Sequence, residues 1–300
     1  MEEMLAARAR RAGLRPVAVM VFAVWTTAGF GQTHPPVSVP QGQDPGPSAD
    51  RILELALERA ERNDDAGVEL AFESFVESSV ETLGRDGAMV EVASTRMRRY
   101  PLEGEMYEEF VARDGRDLNA AEARKEAKRR AAFIRAARRR SARGEERDPK
   151  ERRMRFDRKL MGRYRTVLSG TEEIRGHPCW VLGFAPRSGR LPSDGAMDRA
   201  LNQSTGTLWI LKSNYELARI VFEMQTPVRY MWGLFATLKQ VDGRIDFEAV
   251  GPGLWLPSRF RLELDVSVLA GVKSFRRRIG MRWVNYRPAA ASADSASGSR

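Results

Sequence analysis

The 300-residue chain has a single cysteine, Cys179, and two histidines, His34 and His177. One thiol excludes an internal disulfide, so the folded part must be held by its core alone. No His, Cys and carboxylate spacing suits zinc. No Gly-rich loop leads into a helix to cradle phosphate. No apolar run reaches the ~20 residues that cross a bilayer. His177 and Cys179 stand two apart, which in a strand puts both side chains on one face. A nucleophile and base also need an orienting third group, and none is evident. The pairs Glu108-Glu109 and Asp64-Asp65 share no face and read as solvated. The expectation is a protein that is not an enzyme and uses neither metal nor cofactor.

What is present begins with an address. Arg8, Arg10, Arg11 and Arg15 form a basic stretch, and residues 17–30 are uncharged and mostly apolar. This is the layout of a secretory signal, with Gly29 and Gly31 at the small-residue places before a cut at Gln32. Segment 1–31 is read as a signal peptide, the alternative being an uncleaved N-terminal anchor. Either way the body is expected outside the cytoplasm, in the periplasm. Residues 32–48 are rich in Pro, Gly, Gln and Ser and read as a flexible linker. Residues 289–300 are Ala, Ser and Gly and read as a disordered tail. One domain, 49–288, lies between.

Charge is unevenly spread. The formal net charge is +10, and residues 119–159 alone hold 17 basic and 7 acidic side chains. Asn119 suits an N-cap, and 120–142 is nearly all Ala, Arg, Lys and Glu, strong helix formers. The stretch 119–161 is therefore a basic helical insertion. Three readings stand: contact with anionic lipid headgroups, nucleic acid, or a solvated arm with ordinary surface pairing. A signal peptide upstream argues against nucleic acid, which is not expected. Arg138, Arg139 and Arg140 are candidates for membrane or partner contact.

The rest is strand-like. In 259–268, Phe260, Leu262, Leu264, Val266 and Val268 alternate with Arg259, Arg261, Glu263, Asp265 and Ser267. A period of two gives one face to a core or cavity and one to water. Asp50 is a candidate N-cap for a helix to about residue 62, with Ile52, Leu55 and Arg59 along one side. Strands at 70–83 and 88–100 pair through Gly84-Arg85-Asp86-Gly87, and a third follows at 105–113. The uncharged Phe72, Ser74, Val76, Ser78 and Val80 are expected to face inward. A second set spans 163–168, 172–174, 179–185, 207–212, 217–224, 244–250, 258–268 and 274–286, with a Gly/Pro/Ser-rich loop at 187–204. Strands in this number beside helical segments give an α+β class, with an antiparallel sheet that bends around something.

Several phrases resemble those of LolA/LolB-like outer-membrane lipoprotein-sorting proteins. They are Tyr164 to Gly170 followed by Glu173-Ile174-Arg175-Gly176-His177, then Cys179 to Pro186, Gly206 to Leu211 with Leu217-Ala218-Arg219-Ile220, Trp255-Leu256-Pro257-Ser258, and Tyr286. The resemblance implies an α+β half-barrel, a curved and incomplete antiparallel barrel with helices on its concave side, that binds lipid or lipoprotein acyl groups in an apolar cavity, as carriers do, or that serves as an envelope sensor or scaffold touching proteins. Long 119–161 and 32–48 segments depart from a simple carrier. The expected partners are acyl chains, and beyond them an anionic membrane surface or envelope proteins; a monomer is expected.

An apolar cavity suits acyl chains because each buried CH₂ contributes about 0.8 kcal/mol. Its expected liners are Trp180, Leu182, Phe184, Trp209, Ile220, Phe222, Met224, Phe247, Phe260, Leu262, Leu264 and Trp283. The same residues would also make an ordinary packed core. Met231, Trp232 and Phe235, in an apolar loop, suit a membrane, a partner or the mouth of the cavity.

Overall fold

The computed structural model describes residues 46–84, 87–144, 155–193, 195–230, 236–268 and 273–289. The expected signal peptide, most of the linker and nearly all of the tail lie outside these residues.

Helix α1 (Ala49–Asp65) starts two residues earlier than an Asp50 cap would place it: Ser48 is the N-cap, its side chain accepting from the Arg51 amide. Asp50 sits instead in the first turn, where the helix dipole favours an acid. The helix buries Ile52, Ala56 and Leu57, a stripe rotated away from Leu55. A short 3-10 turn (Val68–Ala71) leads into β1 (Phe72–Leu83), β2 (Met89–Leu102), β3 (Glu105–Arg113) and β4 (Arg116–Asp117). The inward face of β1 is the expected one, with Ser74 and Val76 buried.

The basic insertion forms α2 (Ala120–Arg143) and α3 (Arg158–Met161). Asn119 and Glu122 close a capping box, each side chain bonding the other's backbone amide. The second strand set is β5 (Tyr164–Ile174), β6 (His177–Pro186), α4 (Ala196–Leu201), β7 (Ser204–Leu211), β8 (Leu217–Met224), β9 (Val228–Tyr230), β10 (Ala236–Gly251), β11 (Leu254–Val268) and β12 (Lys273–Pro288). The expected strands at 163–168 and 172–174 are one strand, β5, with a bulge at Gly170. Helix α4 lies within the expected 187–204 loop, which Arg163 clamps by bonding Pro192 O, Asn202 and Asp198.

Among the described residues all strand pairs are antiparallel, in two sheets. One has the order β4-β3-β2-β1-β12-β11-β10-β9 and the other β5-β6-β7-β8. They meet where β8 lies beside β10. There Arg219 on β8 reaches Asp246 on β10 at 2.8 Å. The Phe222 ring lies on Gly243, where a Cβ would come within 2.4 Å of it. One apolar cluster draws on β1, β2, β6 to β8 and β10 to β12. A single core shared by both sheets means that they wrap around it, and the wrap is not closed: β4 and β5 are free ends in the strand order.

Candidate functional site: the apolar inner face

Register determines which side chains share the inner face. Val76 pairs with Met97 and with Trp283, and Met281 pairs with Phe260. On the smaller sheet Leu182 pairs with Leu208, and Leu208 with Ile220. Directly paired residues point to the same side. The inner cluster thus gathers Leu182, Phe184, Phe222, Met224, Phe260, Leu262 and Leu264 as buried members, with Trp180, Ile220, Phe247 and Trp283 partly buried against it.

Trp209 stands elsewhere. It pairs with Val181 on the opposite face, packs on a second cluster of Ile174, Cys179, Leu211, Ala218 and Trp255, and donates its indole N–H to Glu172 at 2.8 Å. Strand β7 is apolar on both sides, since Leu208 and Ile210 face inward while Leu211 faces the second cluster. Two-sided burial erases the alternation that would have assigned Trp209 a face.

Helices were expected on the concave side, but the expected liners included no residue of the helix that fills the inner face. Helix α1 inserts Ile52, Ala56 and Leu57 into the same cluster, with Leu53 beside them. The signal was its apolar stripe, which marks burial without saying against what. Around these insertions α1 is held by polar contacts. Arg158 bridges Glu54 at 2.6 Å and Glu61 at 2.8 Å, and Asp50 accepts from Thr166 at 3.5 Å. Arg59 bonds Glu216 at 2.7 Å and Gly253 O at 2.8 Å. On the inner face the buried indole Nε1 of Trp180 and the hydroxyl of Ser74 have no hydrogen-bond partner among the described residues. Lys212 sits 4.1 Å from the centre of the Trp180 ring.

Two cavities lie outside this packed interior. One, of about 700 Å³, is a groove on the outer face. Ser79, Ser94 and Gly280 form a cross-strand row in it, with Arg261 at the end, and Glu77, Arg96, Arg282 and Arg259 form the neighbouring row. Small side chains in one row beside long ones in the next leave the depression. Arg282 bonds Glu77 at 2.9 Å. The second, of about 370 Å³, runs between α2 and β3 and is lined by Phe110, Leu118, Ala123, Ala127, Ala131, Ile134 and the polar Glu109, Glu126 and Arg130.

The basic residues separate into two sets. Arg140 is half-buried and bound to Glu105 at 2.9 Å on the sheet side, whereas Arg138 and Arg139 are both exposed, Arg138 reaching Glu103 at 2.7 Å. Met231, Trp232 and Phe235 lie outside the described residues. His177 and Cys179 do not form a nucleophile–base pair. The thiol is fully buried and donates to the His177 carbonyl at 3.4 Å, while the His177 ring stacks edge-on to Trp255. Burial pushes the Cys179 thiol up, away from the reactive thiolate. Among the described residues, no group of three His, Cys, Asp or Glu could hold a metal ion, and no helix is long and apolar enough to cross a membrane.

No family model matches the sequence, and no curated protein matches it. Solved structures do. The chain is similar to a DUF1329 family protein from Desulfovibrio piger, at 12% identity and a TM-score of 0.33, over 82% of this chain and 95% of that one. It is similar to a domain named for outer membrane lipoprotein sorting from Vibrio parahaemolyticus, at 12% identity and a TM-score of 0.34, over 80% of this chain and 93% of that one. It is similar as well to a LolA superfamily protein from Nitrosomonas europaea, at 12% identity and a TM-score of 0.31, over 82% and 96%. The family read from the sequence phrases is thus also named among the structural neighbours.

Proposed function

We propose that this is a non-catalytic protein of the bacterial envelope that binds an acyl group of a lipid or lipoprotein against its inner face. One observation carries the reading: an apolar face spanning both sheets is closed by α1, which inserts only short apolar side chains there. Two large aliphatic side chains and one alanine contribute roughly 4–6 kcal/mol of burial, whereas about ten acyl methylenes offer about 8 kcal/mol. An acyl chain can therefore replace α1 in that space. The Arg158 pairs that hold α1 at its rim are solvent-exposed, and such pairs contribute about 0–1 kcal/mol. The unpartnered Trp180 indole is a donor available to an ester or amide oxygen of the ligand.

The test is to staple α1 in place. Asp50→Cys with Thr166→Cys, in a Cys179→Ala background, puts a disulfide where the two side chains already meet. A fluorescent acyl probe should bind the reduced protein and not the oxidised one. Equal binding in both forms, or none in either together with no lipid carried through purification, sinks the reading.

A second reading has its own observation. The outer groove carries Arg259 and Arg261, exposed and without a carboxylate partner among the described residues, and it is large enough for a peptide segment. A scaffold or sensor would place a protein partner there. A photo-crosslinker at Ser79 should then trap a discrete partner in cells, and failure to trap one would count against it.

A further inference from the structure

The surface helix α2 divides its cations by face. At 100° per residue, Glu126, Phe133 and Ala137 mark the side turned to the sheet. On that side Glu126 accepts from the Tyr107 hydroxyl at 2.6 Å and pairs with Arg129 at 2.7 Å. Arg130 donates to the Tyr100 hydroxyl at 3.1 Å, and Arg140 pairs with Glu105. Glu122, the other acid of the helix, is bound to Arg116 at 2.7 Å. The opposite side carries Arg124, Lys128, Arg135 and Arg139, with Lys125 beside them, all exposed. None of these pairs with a carboxylate among the described residues; Arg139 bonds only the Arg135 carbonyl.

A solvated helix spaces its acids among its bases at i and i+4. Here both acids are spent on the protein side, and the solvent side is cationic from end to end. From position 124 to position 139 there are fifteen steps, a stripe about 22 Å long at 1.5 Å per residue. Between these cations the face carries alanine and no Leu, Phe or Trp, so it has nothing to insert into hydrocarbon. A straight row of flexible point charges without hydrophobic anchors, groove shape or stacking groups fits a flat anionic surface.

We propose that this outward face of α2 docks the protein on anionic lipid headgroups, peripherally and reversibly. The proposal stands apart from the acyl-binding reading, because it uses no residue of the inner face. The test is co-sedimentation of the full chain with vesicles of phosphatidylcholine alone and with about 30% phosphatidylglycerol. Any insertion by the apolar N-terminal stretch acts on both vesicle types, so the difference between them reads the headgroup charge. Binding should favour the anionic vesicles at low salt and fall away by about 0.5 M, where the Debye length is only a few ångströms. Each cation removed should weaken it about fivefold, so Arg124→Gln, Lys128→Gln and Arg135→Gln together should cost about a hundredfold with thermal stability unchanged. Arg140→Gln, which breaks the half-buried pair with Glu105 on the sheet side, should leave vesicle binding within a few-fold. The proposal is overturned by equal partition to both vesicle types, by undiminished binding of the triple variant, or by tighter binding to a DNA duplex than to the anionic vesicles.

Discussion

Gly206 and Gly243 are the positions where one methyl group would be felt most. A Cβ on Gly206 would lie 2.2 Å from the Val221 carbonyl and 2.5 Å from the Phe184 ring, and one on Gly243 would lie 2.4 Å from Phe222. Both aromatic rings are buried, so neither can swing clear. Gly206→Ala and Gly243→Ala should each cost about 1–3 kcal/mol or more in urea unfolding. Gly251→Ala, with nothing within 4 Å, is the control and should change little. Glu122 offers a pH test. Its bond from Arg116, and then the one from the Asn119 amide, hold its carboxyl down at about 2. A depressed folded value means that its contribution is fully present above pH ~4.3 and is lost as pH falls through about 2. Wild type should therefore be more stable than Glu122→Gln at pH 5 and above, and the two should converge near pH 2. A stability gap that does not change with pH would contradict the role given to this carboxylate.

At the scale of elements, α2 acts as the cover of an edge. Beyond its short pairing with β4, strand β3 ends the larger sheet, and an open edge invites pairing with another chain. Arg129 donates to the Glu108 carbonyl on that edge and lies 4.7 Å from the centre of the Tyr107 ring. Tyr107 is buried, and burial, then its bond to Glu126, pushes the phenol well up, so it remains a donor at all ordinary pH. Tyr107→Phe leaves Glu126 buried with one bond fewer and should cost about 1–3 kcal/mol. It should also raise proteolytic cleavage in α2 before the rest of the domain unfolds; simultaneous loss would show that the helix is not a separate unit. Much of this element was legible. The cap at Asn119 and the helix-forming composition are local signals, and β11 showed its face because charged and apolar residues alternate without a break. The direction of each arginine was not legible. In a helix nearly uniform in Ala and Arg, only the tyrosines and acids on β2 and β3 decide which cations turn inward. Trp209 was misassigned for a related reason, since a strand apolar on both sides carries no mark of its orientation. The helix start slipped by two residues because Ser48 and Asp50 are both good caps, and it is Ser48 whose side chain accepts from the Arg51 amide.

For the whole molecule, the decisive joint is the line where β8 meets β10. Asp246 is 3% exposed and bonds both Arg219 and Arg244 at 2.8 and 2.7 Å. Burial pushes its carboxyl up, but the two guanidinium groups outweigh that and hold it below the usual range. Asp246→Ala leaves Arg219 half-buried without its carboxylate, while Arg244 can turn to water, and losing such a charged hydrogen bond costs about 1.5–3 kcal/mol. Its effect should be cooperative: if calorimetry shows one sheet melting apart from the other in the wild type, the joint is weaker than its geometry suggests. The lone thiol lies on the face of the smaller sheet that turns away from the inner cluster. Cys179 is fully buried between β5 and β7, and its thiol is tied to a backbone carbonyl. A chain with one thiol gives one labelling reaction, so the rate at which a disulfide reagent modifies native protein becomes a clock for the opening of that sheet. Run with and without vesicles or acyl probe, that clock would report whether occupancy of one face tightens the strands that form the other.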